Sequence, residues 1–306
     1  MKYRKSIISA LALVCLPHSA TATVLFLDDF TTTGQSDDVN SQYTGGRQSG
    51  TLGNLQYRQG NGAFGATITG TIANEASNGF KTQIGNAGGP GKLWVVGGSP
   101  ATSFGSVSLE HNFIENAGVG GYTSISFTLD PGTGTAGTGT SWAALTVGAG
   151  DNSNFGASGT GARGQTVNTA AAHFGILFRD NGGFQAFDGS TALTTGTYDP
   201  TPTIGTTHDI ELRVSGLVDG NAWDGSGDDL ISVYADGSLF YSYTKVGGYS
   251  NNFLTLQGEG DAAGLSINQF DNLQIATIPE PGTPAMILGG LGLFLGFQRR
   301  RNREVN

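Results

Sequence analysis

Apolar and polar residues alternate with a period of two in many short segments between residues 23 and 277, which interrupt glycine-rich stretches. Residues 124–129 read Ser-Ile-Ser-Phe-Thr-Leu, which places Ile125, Phe127 and Leu129 on one face. This is the spacing of a half-buried β-strand, because successive side chains of a strand point to opposite faces. No stretch of useful length in the body shows the period of a helix. The pattern therefore predicts an all-β body.

About 14 segments carry this alternation or form a short apolar run between turn residues. They are residues 24–30, 66–72, 80–84, 92–96, 107–113, 124–129, 142–147, 174–178, 183–187, 210–214, 230–235, 238–244, 253–257 and 265–275. Strands in this number are too many for one open sheet and fit two packed sheets. Asp236-Gly237 and Asp180-Asn181-Gly182 join neighbouring segments with the residues that tight antiparallel hairpins use. We therefore expect an antiparallel two-sheet sandwich, with long loops at 131–140 and 148–169.

The first 22 residues have the three parts of a secretory signal peptide. Three basic residues precede an apolar segment at 7–16, and Ala20-Thr21-Ala22 supplies the small side chains of a cleavage site. Cys15, the only cysteine, lies inside this segment, and Val14 stands where a lipoprotein signal needs a small residue. We predict cleavage after Ala22, which leaves a mature chain without disulfide or thiol chemistry.

The C-terminal segment is built differently from the body. Pro279-Glu280-Pro281 resists helix and sheet alike, because proline fixes φ and lacks a backbone donor. Residues 284–297 form an uncharged apolar run, which at about 14 residues is shorter than the roughly 20 that a spanning helix needs. The arginines that follow stay in the cytoplasm by the positive-inside rule. They are Arg299, Arg300, Arg301 and Arg303.

This order of a Pro-Glu-Pro tripeptide, a short hydrophobic helix and an arginine cluster resembles the PEP-CTERM sorting signal of Gram-negative bacteria. The resemblance implies that an exosortase, a membrane cysteine protease, removes the tail after transient anchoring in the inner membrane. It also implies release to the cell surface or extracellular matrix. The alternative is an ordinary C-terminal anchor, which does not need the tripeptide. We accordingly divide the chain into a signal peptide (1–22), a β-sandwich domain (23–277) and a sorting signal (278–303).

Charge narrows the set of partners of the body. The chain has 15 Lys and Arg residues against 24 Asp and Glu residues, and seven basic residues but only one acidic residue lie in the segments that processing removes. The mature body therefore carries a charge of about −15, which argues against nucleic acid and anionic lipid as partners. A high density of carboxylates instead suits divalent cations.

Two parts of the body resemble concanavalin A-like lectin and glucanase jelly rolls. One is the run Asp-Ile-Glu-Leu-Arg-Val at 209–214, followed by an acidic loop and a strand at 231–238. The other is the pair of end segments at 27–30 and 270–275, which look like the paired terminal strands of that fold. The resemblance implies a jelly roll, a fold that hosts lectins, glycosidases, lyases and inert modules alike.

Laminarinase-type members of that fold carry a Glu-x-Asp-x-(x)-Glu motif, which sets a nucleophile and an acid on one face of a strand. The glutamates of the mature body do not form this motif; they are Glu75, Glu110, Glu115, Glu211, Glu259 and Glu280. Asp209 and Glu211 share a strand face, but we expect it to face solvent because Ile210 and Leu212 occupy the other. The sequence therefore predicts a protein that is not an enzyme. A secreted polysaccharide-active glycoside hydrolase or lyase is the alternative.

In the resembling glucanases, a structural calcium is held partly by an aspartate of the final strand and by groups near the first strand. Asp271 matches the final-strand position, and Asp28 or Asp29 lies nearby if the end segments pair. The resemblance thus implies a structural Ca²⁺ here, and the alternative is that these carboxylates cap backbone donors in turns. Residues 219–229 also alternate Asp or Asn with Gly, but no Glu closes the loop as in an EF-hand, so a solvated hairpin loop is expected.

Carbohydrate binding calls for exposed aromatic rings on which sugars can stack. The candidates are Trp94, Trp142, Trp223, Tyr234, Tyr241 and Tyr243. Core packing is an equal alternative for the last two, which share a strand face with Leu239. The histidines of the body lack metal-ligand spacing, so we expect packing roles for His111, His173 and His208. Together these features predict an exported, non-catalytic surface or matrix protein that binds exopolysaccharide.

Overall fold

Most of the strands predicted from the alternation are present in the computed structural model, which describes residues 21–30, 36–38, 48–55, 57–63, 81–85, 91–96, 103–131, 141–149, 167–168, 173–203, 205–259 and 268–279. These residues form 17 strands and no helix. The strands pair into two antiparallel sheets, so the predicted all-β sandwich is confirmed. Residues 1–20 of the predicted signal peptide, the predicted tail helix and the predicted strand at 66–72 lie outside the described residues, as does most of each predicted long loop.

The strands follow one another with short connections in the second half of the chain. Their bounds are β1 Thr23–Asp28, β2 Ser36–Asp38, β3 Gln48–Ser49, β4 Tyr57–Ala63, β5 Lys81–Gly85, β6 Lys92–Val96, β7 Ser103–Leu109, β8 Tyr122–Asp130, β9 Trp142–Ala149, β10 Phe174–Arg179, β11 Gly183–Asp188, β12 Thr191–Thr197, β13 His208–Gly216, β14 Asp229–Ala235, β15 Ser238–Lys245, β16 Phe253–Glu259 and β17 Asn268–Ile278.

The larger sheet has ten strands, and the smaller has seven. The larger follows the order β15-β14-β13-β8-β17-β6-β5-β2, and β1 pairs with both β17 and β3. The smaller follows the order β12-β11-β10-β9-β16-β7-β4. Strands that are distant in the chain, such as β8 and β17, are therefore neighbours in the sandwich.

The terminal strands pair as the sequence predicts. Thr23 lies opposite Thr277, and Asp28 lies opposite Leu273, in the antiparallel pairing of β1 with β17. The pairing of β17 with β8 is interrupted by an irregularity between Asp271 and Gln274. The first strand thus closes against the last, in the interior of the larger sheet.

Alternate side chains of both sheets fill the space between them. The largest fully buried side chains are aromatic in all cases but one, and they are Trp223, Tyr57, Phe26, Phe30, Phe113, Phe174, Phe178, Phe270 and Leu93. The rings of Phe127 and Phe270, on neighbouring strands, lie with centroids 5.6 Å apart. Burial of each such side chain contributes on the order of 1.5–3 kcal/mol, which makes this layer the main source of stability.

Four short or polar strands were not predicted: β2, β3, β4 and β12. β12 has the sequence TALTTGT, lies at the edge of the smaller sheet and is largely exposed, so no hydrophobic alternation marks it. β4 contains two glycines among polar residues, which hides its period. The predicted segment 107–113 is only partly a strand, because β7 ends at Leu109 and Phe113 enters the core from the following loop.

Candidate functional site

The outer face of the smaller sheet carries small neutral polar side chains. Val107, Leu145 and Leu256 of β7, β9 and β16 point into the core between the sheets. Alternation therefore turns their neighbours outward, and these are Ser106, Ser108, Thr146, Thr255 and Gln257, all of which are buried. The hydroxyls of Ser108 and Thr255 lie 2.8 Å apart in a hydrogen bond between adjacent strands. Within the described part of the chain, Ser106 Oγ and Thr146 Oγ1 have no hydrogen-bond partner.

An apolar cluster adjoins this polar strip on the same outer face. Its members are Trp142, Ala144, Val167, Leu177 and Phe187. The backbone nitrogen of Val167 donates to Gln257 Oε1 over 3.0 Å. Val167 also lies so close to β10 that a Cβ on Gly175 would stand 2.3 Å from its carbonyl oxygen. The glycine at position 175 therefore allows Val167 to pack on β10. The sequence analysis did not predict this contact, because Gly175 and the serines give no hydrophobic signal.

A shallow groove of about 350 Å³ lies on the outer face of the larger sheet. Its lining residues come mainly from β8, β13 and β17, and they are Ser126, Phe127, Thr128, Asp209, Ile210, Glu211, Gly237, Asn272 and Gln274. Hydroxyl, carboxylate and amide groups thus face solvent together. Asp209 is exposed, as predicted, and accepts a 3.1 Å hydrogen bond from the hydroxyl of Thr128.

Glu211 connects this groove to an aromatic stack. Burial alone would raise the pKa of Glu211, but hydrogen bonds from Arg213 and Ser124 more than offset it and hold the pKa below its usual value. The Arg213 guanidinium lies over the ring of Tyr234, 4.2 Å from its centroid, and over that of Tyr122 at 5.1 Å. The prediction that Glu211 faces solvent is therefore correct only in part, since its carboxylate is held in an ion pair 2.7 Å long.

The predicted calcium ligands Asp28, Asp29 and Asp271 lie near one another, but Asp28 differs from the other two in its hydrogen bonds. Asp28 is completely buried and accepts hydrogen bonds from the backbone of Phe30 at 2.9 Å, the side chain of Gln48 at 3.2 Å and the hydroxyl of Tyr57 at 2.9 Å. Both of its carboxylate oxygens are thus engaged by neutral donors. Asp28 fits the alternative role of a carboxylate that caps backbone and side-chain donors.

Asp271 and Asp29 are the other two predicted calcium ligands. Asp271 is half-buried, and burial raises its pKa. The hydrogen bond from the Asn272 backbone and the positive charge of Lys92 oppose this rise in pKa, and the negative charges of Asp29 and Asp28 add to it. Asp271 Oδ1 accepts a 2.8 Å bond from the Asn272 backbone. A calcium ion takes six to eight oxygen ligands, and among the described side chains no group of three His, Cys, Asp or Glu is arranged around a metal position. The calcium site stays a prediction, with Asp271 and Asp29 as its remaining carboxylates.

The acidic loop at 219–229 joins β13 to β14 as the predicted hairpin loop, and it is exposed at 224–226 but buries Trp223 and Asp229. Asp219 and Asp224 each accept a backbone hydrogen bond from the residue two positions on, which is the geometry of an Asx turn. Trp223 is buried and its ring lies 5.9 Å from that of Tyr249. Asp229 is also buried, where desolvation raises its pKa, and it accepts a hydrogen bond from the Tyr249 backbone.

The aromatic candidates divide into packed and exposed groups. Trp142 and Trp223 are buried, and Tyr241 and Tyr243 stack on Phe174 with centroids 6.3 and 6.2 Å away. Packing is therefore the role of these four. Tyr234 stacks on Arg213 at the outer surface, and the side chain of Trp94 lies outside the described ones.

The histidines also have packing or bridging roles. His173 is fully buried against Val167, and His111 lies 2.6 Å from a Glu115 oxygen. His208 bridges Asp236, at 2.9 Å, and Asp199, at 3.3 Å. These carboxylates belong to separate turns at one end of the sandwich, so the ring joins them.

The second candidate site follows directly from β17. Ile278 is the last residue of that strand, and Pro279 is the last residue that the structure describes. Residues 277–302 match the family model of the PEP-CTERM protein-sorting motif. The chain carries a PEP-CTERM sorting motif. The motif implies exosortase-dependent sorting of an exported protein by way of the membrane, and its Glu280, Pro281 and arginines lie outside the described residues.

Several solved structures are similar to this chain at low sequence identity. The endo-1,3-beta-glucanase from Streptomyces sioyaensis is 10% identical, with 87% of this chain and 99% of that chain covered and a TM-score of 0.51. The lectin from Bauhinia forficata in complex with GalNAc is 9% identical (84% and 99% covered, TM-score 0.41). The potassium-bound carbohydrate recognition domain of Emp46p is 13% identical (72% and 88% covered, TM-score 0.40).

The concanavalin A-like jelly roll expected from the sequence is therefore confirmed. At this level of identity, the likeness concerns the fold alone. A comparison with curated protein sequences finds no match. Among the described residues, no helix is long and apolar enough to cross a membrane.

Proposed function

We propose that this protein is a non-catalytic component of the cell surface or extracellular matrix of a Gram-negative bacterium, delivered by an exosortase. The observation that carries the proposal is the position of the PEP-CTERM motif, which begins at residue 277 within the last strand. The tripeptide Pro279-Glu280-Pro281 follows that strand with no linker. A cut at the tripeptide would thus release the whole sandwich and remove only the tail.

The tail anchors the protein in the inner membrane for a limited time before release. Its apolar run at 284–297 enters the inner membrane, and the arginines after it stop transfer on the cytoplasmic side. The run is short, and its glycines allow another helix to approach closely. Both features favour recognition by a membrane protease over permanent anchoring in the lipid.

Glu280 provides the test of this route. Because it is the only charge between two prolines, we expect the exosortase to recognise it, so Glu280→Ala should leave export intact and block release. Glu304→Ala, in the same tail but beyond the arginines, is the matched control and should be released normally. The measurement is the distribution of the protein between inner membrane and medium. Equal release of both variants would show that Glu280 is not read and would remove the proposed role of the tripeptide.

The body is proposed to bind extracellular polysaccharide through the groove on its larger sheet. Sugar hydroxyls pair well with carboxylates, amides and hydroxyls, and the groove presents Asp209, Gln274 and Asn272 together with Ser126 and Thr128. The names of the lectin and glucanase neighbours indicate that those proteins bind or hydrolyse carbohydrate, which fits this proposal.

A glycan array together with a reducing-sugar assay separates binding from hydrolysis. The processed chain, residues 23–281, should bind one or more neutral polysaccharides on the array without generating new reducing ends. Asp209→Ala combined with Gln274→Ala should weaken that binding at least tenfold, whereas Asp224→Ala, an exposed acid of another loop, should not. New reducing ends would favour the alternative, a polysaccharide-active enzyme on the same fold.

A further inference from the structure

The two ends of the domain lie at the same end of the sandwich. Thr23 pairs with Thr277 in the sheet, and Ile278 pairs with Tyr122, the first residue of β8. A Cβ on Gly121 would lie 2.8 Å from the carbonyl oxygen of Ile278, so the loop before β8 touches the exit of the chain. We call this the terminal end of the sandwich.

Exposed apolar side chains collect at the terminal end. Among the described residues, six large apolar side chains are exposed, and five of them lie on its loops: Ile114 (51% exposed), Val119 (86%), Leu217 (52%), Val218 (77%) and Val246 (78%). The sixth, Leu239, follows the Asp236-Gly237 turn at the opposite end. Apolar side chains this exposed are unfavourable in water, and the presence of five of the six described ones at one end indicates a shared contact.

The loops that carry these side chains touch each other. A Cβ on Gly220 would lie 2.4 Å from the Cα of Val119, and the Asn116 side chain donates a hydrogen bond to that of Asn221. The backbone nitrogen of Gly247, next to Val246, donates to Asp228 over 3.0 Å. Val119, Leu217, Val218 and Val246 thus belong to one connected surface beside Ile278.

The length of the tail fixes the distance of this surface from the membrane. Five residues, 279–283, separate Ile278 from the start of the apolar run at Pro284. Even fully extended, this tether spans at most about 20 Å. The polar layer of a bilayer is about 5–8 Å deep on each side. The terminal end is therefore held at or close to the lipid headgroups for as long as the run stays in the bilayer.

We propose that the terminal end rests on the membrane before processing, with Val119, Leu217, Val218 and Val246 in the lipid interface. This inference rests on the proposed anchoring by the tail. Four apolar side chains give only weak binding alone, but the tail holds them at high effective concentration beside the lipid. The contact lasts only while the tail is attached and therefore does not retain the released domain.

The charged side chains around this surface determine which lipid headgroups it can contact. Glu115, Asp219, Asp224 and Asp228 lie on the same loops. Carboxylates repel the anionic headgroups that basic peripheral proteins bind, so the surface fits a zwitterionic interface. Added anionic lipid should weaken the contact and added salt should restore it, since salt screens repulsion between exposed charges.

Single cysteines provide a direct test, because the chain after residue 22 contains none. Val119→Cys, Val218→Cys and Val246→Cys, each labelled with an environment-sensitive fluorophore, are made in the exported chain, residues 23–306, and reconstituted in phosphatidylcholine vesicles. Leu239→Cys is the matched control. The three terminal-end probes should shift their emission to the blue and the control should not. Proteolytic removal of the tail should reverse the shift, and 30% phosphatidylglycerol at low salt should reduce it.

Flotation of the vesicles separates this inference from the proposed function. If the chain floats with the vesicles and the terminal-end probes stay in an aqueous environment, the membrane contact is wrong and the anchoring stands. If the chain does not float, the anchoring by the tail fails and the contact fails with it. Blue shifts at all four positions would indicate general adsorption and would also overturn the proposed surface.

Discussion

Ile278, the residue before Pro279, pairs with Tyr122 at the end of the larger sheet. The last strand residue that the structure describes and the first residue of the Pro-Glu-Pro tripeptide are therefore adjacent. The boundary between domain and tail is sharp, so processing at the tripeptide need not disturb β17 or its pairing with β1 and β8.

Truncations on either side of this boundary should behave in opposite ways. A chain of residues 23–279 should unfold with the same free energy as residues 23–306, to within about 0.5 kcal/mol. A chain of residues 23–273 loses residues 274–278, which pair with both β1 and β8, and should not fold. Circular dichroism during urea unfolding measures both. A stable 23–273 chain would show that the end of β17 is dispensable.

We predict that the main role of Asp28 is to stabilise the folded domain. Asp28→Ala leaves buried donors of Phe30, Gln48 and Tyr57 without their acceptor, and unsatisfied buried donors are costly. We expect a loss of about 3 kcal/mol in the free energy of unfolding. Tyr57→Phe removes a single one of these bonds and should cost about 1 kcal/mol. Equal losses in the two variants, measured in urea with chelator present, would contradict the proposed hydrogen-bond hub.

Asp271 provides the test of the calcium site. If Asp271 and Asp29 hold the ion, calcium at a hundredfold excess over its dissociation constant adds about 2.7 kcal/mol to the folded state. For a domain of this size, that raises the melting temperature by about 5–10 °C. Asp271→Ala should abolish the increase and keep the fold. Identical melting curves with calcium and with chelator would leave Asp271 as a structural carboxylate only.

Asp188 gives the sandwich a dependence on pH. Burial would raise its pKa, but hydrogen bonds from Lys245, Tyr243 and Tyr249 outweigh it and hold the pKa below the usual value. The bonds to Lys245 and Tyr243 cross from β11 to β15, so they join the two sheets. Because the folded pKa is depressed, the stabilisation is complete above the unfolded pKa of about 3.9 and is lost as the pH falls through the folded value.

Asp188→Asn should therefore cost about 1–2 kcal/mol at pH 7, since the amide presents a donor to the Lys245 ammonium. The difference from the natural chain should shrink below pH 4. Lys245→Met, which keeps the aliphatic stem, is the control and should also flatten the pH dependence. A constant difference between pH 7 and pH 3 would show that the Asp188 charge is not what stabilises the contact between the sheets.

The fold was predictable from the sequence to the extent that hydrophobic alternation marks it. β8 and β13 bury one face and expose the other, so their residues reveal them directly. The edge strand β12 and the glycine-containing β4 are held by their neighbours and have no such pattern. The pairing of β1 with β17 came from the family resemblance, because residues so far apart in the chain share no local signal.

The candidate sites were predictable to different degrees. The sorting motif is read from a contiguous segment, and its match over residues 277–302 follows from the order of its parts. The groove and the terminal end are assembled from loops and strands distant in sequence, such as those of Val119 and Val218, and tertiary structure alone brings them together. The family resemblance makes Asp28 a predicted metal ligand, and nothing local in the sequence shows that Tyr57 and Gln48 reach it.

The C-terminal peptide of the released protein tests the central claim most directly. Mass spectrometry of the protein recovered from the cell surface or medium should find a last residue at or next to Pro279-Glu280-Pro281, with no peptide from 288–297. Loss of the exosortase should abolish this species and leave the full chain in the inner membrane. A mature protein that keeps residues 288–297 and fractionates with the inner membrane would contradict the account, because the tail would then be a permanent anchor.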